Sequence, residues 1–390
     1  MKVSKFTKIF YIFSFFFEFI LIYAVDKLFF LYRGLDLTGT AVLVAVASIL
    51  MIILEVPSGA VADRWDRRKI LIIAGLTRVV CMVVWIFSTN LTMFALGIAI
   101  LVAGYALESG TLQAFVYDFL KIHGREDDFE KVWGRGSASH LVGIAVAMAL
   151  GGFLSTYSYE LTVGVSAAGP LIAAAVVLAL PADMRNKDRE NRKYFHILVN
   201  GVKKAFGTPV FLRIFLFSGI VLAGYRVMDE YTPVLMADRL GLSNTLIGIW
   251  LAVGIGIGSI GSIIAHRLRE HNWKVLFAIT IVFGLLSGWI VFTRSPVILA
   301  VLVIFYLFSV ITWILIEGII QRSIDSEERA TITSVNSMVV QAGAAVIGLL
   351  FGVLADRYGI HIGYGLYGAL FLLYSLASSV YLLRRRSRKR

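Results

Sequence analysis

The chain runs in long apolar blocks between its charged clusters. The clearest, Val297 to Ile316, is twenty residues without a charge. A hydrocarbon core of about 30 Å needs roughly 20 such residues per crossing helix. Inside a bilayer every backbone N–H and C=O must be satisfied within the protein, so only helices or closed barrels can span it. A barrel would alternate apolar and polar residues over roughly ten-residue segments, and this chain does not. Only 16% of its 390 residues are charged while 58% are hydrophobic, whereas a soluble protein carries about a quarter charged residues. The fold class expected is an all-α membrane protein.

Cutting at charged or turn-rich gaps gives twelve spans, near 8–32, 41–62, 70–89, 91–118, 134–156, 160–181, 208–231, 244–266, 274–293, 297–321, 331–355 and 361–383. The basic start is followed by an apolar run too long for a cleavable signal, so it reads as the first span. Of the 37 Lys and Arg residues, 29 fall on the side of the termini and five on the other. That asymmetry predicts a multi-pass protein of the cell (plasma or inner) membrane with both termini in the cytoplasm. It also absorbs the net charge of +12 as an orientation signal with affinity for anionic lipid, so no nucleic-acid partner is required. The single cysteine, Cys81, excludes an internal disulfide and a cysteine-based metal site.

The longest polar connection, residues 182–207, divides the chain into two bundles of six helices, 1–181 and 208–390. The halves repeat. Aligning "ALESGTLQAFVYD" with "ILIEGIIQRSID" sets Gly110 on Gly318 and Gln113 on Gln321. Aligning "GIAVAMALGGFLSTYS" with "GAAVIGLLFGVLADRY" sets Gly143 on Gly343 and Gly152 on Gly352. Parallel repeats of this kind hold a binding site near the midplane of the membrane.

After the second span comes "GAVADRWDRRK", with Gly59, Asp63, Arg64, Arg67, Arg68 and Lys69 in the pattern G-x-x-x-D-R-x-x-R-[RK]. Twelve spans in a six-plus-six repeat, with that loop in that place, resemble the major facilitator superfamily. The preceding "EVPSG" (Glu55 to Gly59) is similar to its drug-efflux-like branches. The resemblance implies that Gly59, Asp63, Arg64, Arg67 and Arg68 form a cytoplasmic latch, closed in one rocking conformation and broken in the other. In the fifth span, Gly143, Gly151 and Gly152 keep the register of the antiporter signature G-x-x-x-G-P-x-x-G-G, with Ala147 and Met148 at its Gly-Pro pair. Small residues for close helix packing are the competing explanation.

Charges inside a bilayer are costly and face a cavity or a partner. At 1.5 Å per residue, Glu18 lies about 15 Å deep in the first span. It is expected to be a proton or substrate site, or else a structural hydrogen-bonding group. Glu55, Arg78 and Glu108 fall at similar depth on the next three spans, as a structural charge cluster or as a relay whose acids compete for Arg78. Glu317 in the tenth span has no evident basic partner. Asp26 and Lys27 are read as ending the first span, and Arg226, Asp229 and Glu230 as ending the seventh, which suggests an outer gate between them.

No phosphate loop, metal set or nucleophile–base pair is visible in the sequence, so no cofactor, no metal and no enzymatic activity are expected. Three functions compete. One is a proton-coupled exporter of small apolar or amphipathic compounds, a functional monomer whose partners are substrate, protons and lipid. Another is a proton-coupled symporter importing a polar metabolite such as a sugar or organic acid, which would want more mid-depth amides than Gln113 and Gln321. The last is a membrane sensor, which would want a soluble appendage.

Overall fold

The structure is a computed structural model that describes residues 1–181, 209–268, 272–322 and 329–387. The side chains of 56, 60, 63, 64, 209, 210, 272, 329–331 and 379–387 fall outside that description. Asp63, Arg64 and the 182–207 connection therefore keep only their sequence reading.

The described residues fold into helices α1 (Val3–Phe17), α2 (Asp26–Tyr32), α3 (Leu37–Arg64), α4 (Arg67–Phe87), α5 (Leu91–Glu108), α6 (Thr111–Ile122), α7 (Phe129–Ser155), α8 (Tyr159–Ser166) and α9 (Ala168–Val177). They continue with α10 (Pro209–Phe217), α11 (Ala223–Leu240), α12 (Asn244–Leu268), α13 (Asn272–Ile290), α14 (Val297–Arg322), α15 (Arg329–Tyr358) and α16 (Ile360–Ser387). Among the described residues, eleven segments are helical, long and apolar enough to cross a membrane. The first expected span is missing from that number because it is broken. α1 stops at Phe17, a short 3-10 turn covers Leu21–Ala24, and α2 resumes at Asp26.

Local capping explains where several helices begin. Asp66 accepts from the backbone of Arg68 to start α4, Asn90 from Met93 to start α5, and Ser158 from Leu161 to start α8. Such side chains satisfy amides that have no partner inside the helix. Gly110 and Gly241, at φ +73 and +62, provide the left-handed turns that open α6 and close α11.

The chain divides into two compact units. One comprises Met1–Leu35, Ile49–Phe195 and Ser243–Val253, and the other Asp36–Ser48, His196–Leu242 and Gly254–Arg390. The first unit has an aromatic core in which Phe6 stacks on Phe119 at 3.7 Å between ring centres, with Phe10, Phe13 and Phe17 alongside. The second buries Tyr225, Phe283, Phe305 and Phe371 as one group of rings.

The repeat recurs in the packing of each unit. A Cβ on Gly143 would run into the carbonyl of Phe15, and one on Gly343 into that of Gly219. Gly152 meets Asn244 and Gly248 in the first unit, and Gly352 meets Leu37 and Ala41 in the second. Where the first span is broken after Phe17, the seventh carries a π turn at Ser218–Leu222.

Two sequence expectations need correcting. Asp26 and Lys27 do not end the first span; they open α2, with Lys27 buried and ion-paired to Asp26 at 2.8 Å. Arg226, Asp229 and Glu230 do not end the seventh span, because α11 continues through Pro233 to Leu240. Charged residues lower local hydropathy without breaking a helix whose neighbours Met228, Tyr231 and Leu235 are buried.

Candidate functional site

The break in the first span makes the site. "FFFEFILIY" has neither Gly nor Pro to announce it. It persists because the groups it frees find partners elsewhere. The Ile22 amide donates to Ser166 Oγ at 2.9 Å, and Ile20 to the Glu18 carbonyl at 2.9 Å. Glycines admit the irregular backbone: a Cβ on Gly151 would meet the carbonyl of Leu21, and one on Gly169 that of Phe19. A non-helical segment at membrane depth is tolerated only when buried or cavity-lining in this way. Glu18 is the residue at which α1 ends.

Arg78, on α4, is fully buried and points at that end. Its Nε and Nη2 both donate to Glu18 Oε1, at 3.0 and 2.7 Å, and its Nη1 donates to the Ala74 carbonyl at 2.8 Å. The guanidinium lies 3.9 Å from the Phe17 ring centre and 4.2 Å from that of Tyr105, a placement that attracts the cation to both ring faces. The Tyr105 hydroxyl donates to Glu18 Oε2 at 2.9 Å, and Tyr23 lies hydrogen-bonded to Tyr105 at 3.1 Å.

Beside this network is a cavity of about 410 Å³ inside the first unit. Glu18, Glu108 and His140 supply its ionisable groups, Ser14 and Ser137 its hydroxyls, and Phe10, Phe17, Tyr105 and Trp133 its rings. Glu108 makes no side-chain hydrogen bond among the described residues, although its charge interacts with those of Arg78 and Glu18. Two half-buried carboxyl groups thus lie about one buried arginine, Glu18 by hydrogen bonds and Glu108 by charge alone. With both acids ionised the cluster carries one uncompensated negative charge, which a proton or a cationic group would neutralise.

Of the sequence candidates, Glu18, Arg78 and Glu108 come together. Glu55 does not line this cavity; its carbonyl accepts from Ser58 Oγ at 3.1 Å. Glu317 lies in the second unit, where Gln321 donates to it at 2.6 Å, and Arg226 donates to Gln341 in the same unit. Of the loop cluster, Arg67 is buried and paired with Asp118 at 2.7 Å, and Arg68 reaches the Leu178 carbonyl. Both contacts stay within the first unit. Gly59 sits in the last turns of α3. Sequence reasoning overlooked Trp133 and Ser137 and set His140 aside for want of metal-ligand spacing, yet the three share one face of α7. Their spacing at 133, 137 and 140 was the available signal.

The sequence pattern of the Major Facilitator Superfamily matches residues 9–348. The chain belongs to this superfamily. It is therefore a multi-pass secondary transporter of small molecules rather than an enzyme. Solved structures with the same fold include the nucleoside transporter NupG, with a TM-score of 0.80 at 16% identity, covering 97% of this chain and 98% of that one. A bacterial homolog of the human lysosomal transporter Spinster, inward-facing and unoccupied, gives 0.77 at 14% identity with 97% of each chain covered. The D-xylose–proton symporter gives 0.70 at 14% identity, covering 96% of this chain and 97% of that one. None of the curated proteins matches the chain in sequence.

Proposed function

We propose that this transporter exports small apolar or amphipathic compounds in exchange for protons, with the first-unit cavity as part of the binding pathway. One observation carries the reading: two half-buried carboxyl groups, Glu18 and Glu108, lie about the buried cation Arg78 beside an aromatic-walled cavity. Protonating either acid frees Arg78 to serve the other, so substrate and proton occupancy become linked through one charge. The rings favour an apolar body, and the spare carboxylate favours a cationic or donor group on it.

A second reading, proton-coupled import of a polar metabolite, is favoured by Ser14, Ser137 and His140 in the same cavity. Substrate-induced proton movement in inside-out vesicles separates the two. Amphipathic compounds that release a preformed proton gradient support export. A response confined to sugars or organic acids supports import.

Several further assignments rest on sequence alone. They are a division into bundles 1–181 and 208–390, the Asp63–Arg64 latch, cytoplasmic termini, and function as a monomer in contact with anionic lipid.

A further inference from the structure

α3 begins on an exposed turn, where its first amides lack partners inside the helix. Asp36, the residue before it, satisfies one of them, accepting from the Gly39 amide at 2.6 Å. The other two go to a side chain 319 residues away. Asp356, near the end of α15, accepts from the Leu37 amide through Oδ1 and from the Thr38 amide through Oδ2, each at 2.8 Å. The Thr38 hydroxyl also donates to Oδ2. Both partners belong to the second unit. One turn before Asp356, Gly352 makes the approach possible, since a Cβ there would collide with Ala41. Thr40 continues the seam with a hydrogen bond to Tyr231 at 3.0 Å.

This cap differs from the others. α4, α5 and α8 are capped by the residue directly before each helix, so those caps persist wherever the helix goes. The Asp356 cap lasts only while the start of α3 remains at the end of α15. Its carboxylate is exposed and the two amides belong to half-buried residues at the helix start, so on separation they pass to water and none is left buried and unpaired. A carboxylate at a helix N-terminus also gains from the helix dipole. The contact is thus favourable when made and inexpensive to break. Its sequence setting, "GVLADRY" at 352–358, matches "GAVADRW" at 59–65, which ends the same helix α3.

We infer that Asp356 is a detachable cap that holds the start of α3 in one conformation of the transport cycle and releases it in another. Asp356 is a positioning residue: it touches no substrate and acts by setting the balance of conformations. The inference rests on the alternating-transport reading but on neither its direction nor its coupling ion.

The test uses spin labels at Val42 and Tyr358 in the full-length protein with Cys81→Ala, measuring the inter-label distance distribution without substrate. Asp356→Asn, which has the same shape but replaces one acceptor oxygen with a donor, is expected to move the ratio of separated to close populations about tenfold toward separated. Thr38→Val keeps the carboxylate and both amides, and is expected to give a smaller shift in the same direction. Thermal melts check that each variant is folded. An unchanged ratio in both folded variants overturns the cap, whatever the transport assays give. A shifted ratio in a protein that moves no protons with its substrate leaves the cap standing and refutes the coupling.

Discussion

Arg78 places two N–H groups on a single oxygen of Glu18, Oε1, at 3.0 and 2.7 Å, while Tyr105 holds the other oxygen at 2.9 Å. Both oxygens of Glu18 are therefore engaged, whereas Glu108 in the same cavity makes no side-chain hydrogen bond among the described residues. The two acids should respond differently to neutralisation.

Glu18→Gln keeps the shape but cannot release a proton. Uphill transport driven by a pH gradient should collapse, while exchange of labelled for unlabelled substrate survives in part, because a neutral amide mimics the protonated acid. Leaving Arg78 short of a counter-charge should also lower stability, by up to about 3–5 kcal/mol if Glu108 does not move in to compensate. Pumping equal to that of the parent would make Glu18 a structural residue.

Glu108→Gln breaks no side-chain hydrogen bond among the described residues, so the cost in stability should stay within about 1 kcal/mol. Substrate-induced proton movement should nevertheless fall sharply. Proton flux that matches the parent at every external pH removes Glu108 from the coupling scheme.

Arg78→Lys conserves charge but loses the planar fork and the position between Phe17 and Tyr105. Arg and Lys are not equivalent at such a site. Thermal stability and transport should both drop, transport by about tenfold for each 1.4 kcal/mol of lost positioning energy. A variant as stable and active as the parent would show that only the charge matters.

Gly151→Ala should sharply reduce the yield of folded protein, because its Cβ would run into the Leu21 backbone at the helix break. Overpacking of this kind costs about 1–3 kcal/mol or more. Gly164→Ala is the control: its Cβ would meet only Ile86 Cδ1, at 3.8 Å. There the helix preference for alanine should be neutral or favourable by up to about 1 kcal/mol. Melting temperatures read in parallel would contradict this account if the two variants behaved alike.

If Asp63 forms the proposed latch, Asp63→Asn is expected to slow turnover while leaving membrane insertion intact. Normal turnover at normal expression would dismiss the latch.

Most of the helical plan could be read from the chain, because a membrane-crossing helix advertises itself by length and hydropathy. The glycine pairs of the repeat were readable for the same kind of reason. Gly143, Gly152, Gly343 and Gly352 mark places where backbones touch, and each does so in the structure. The pairing of Arg78 was not readable. Depth along the membrane set it between Glu55 and Glu108, and only the geometry of α1 against α4 gives it Glu18 instead. The break after Phe17 was equally hidden. It is stabilised by Ser166 and by glycines far along the chain, so its own residues carry no mark of it. Asp356 escaped notice because a carboxylate in an ADR triplet looks like an ordinary solvated helix end until the start of α3 is seen against it.

The interruption of the first span at Glu18 places an acid engaged at both oxygens where the helix ends. An unbroken helix would spread a local change in charge along a stiff rod. Here the change falls where the rod is already cut, between a short lever of seven residues, Asp26–Tyr32, and a longer arm anchored in the aromatic core. Neutralising that carboxylate would therefore act on a backbone whose next hydrogen bonds already lie outside the helix.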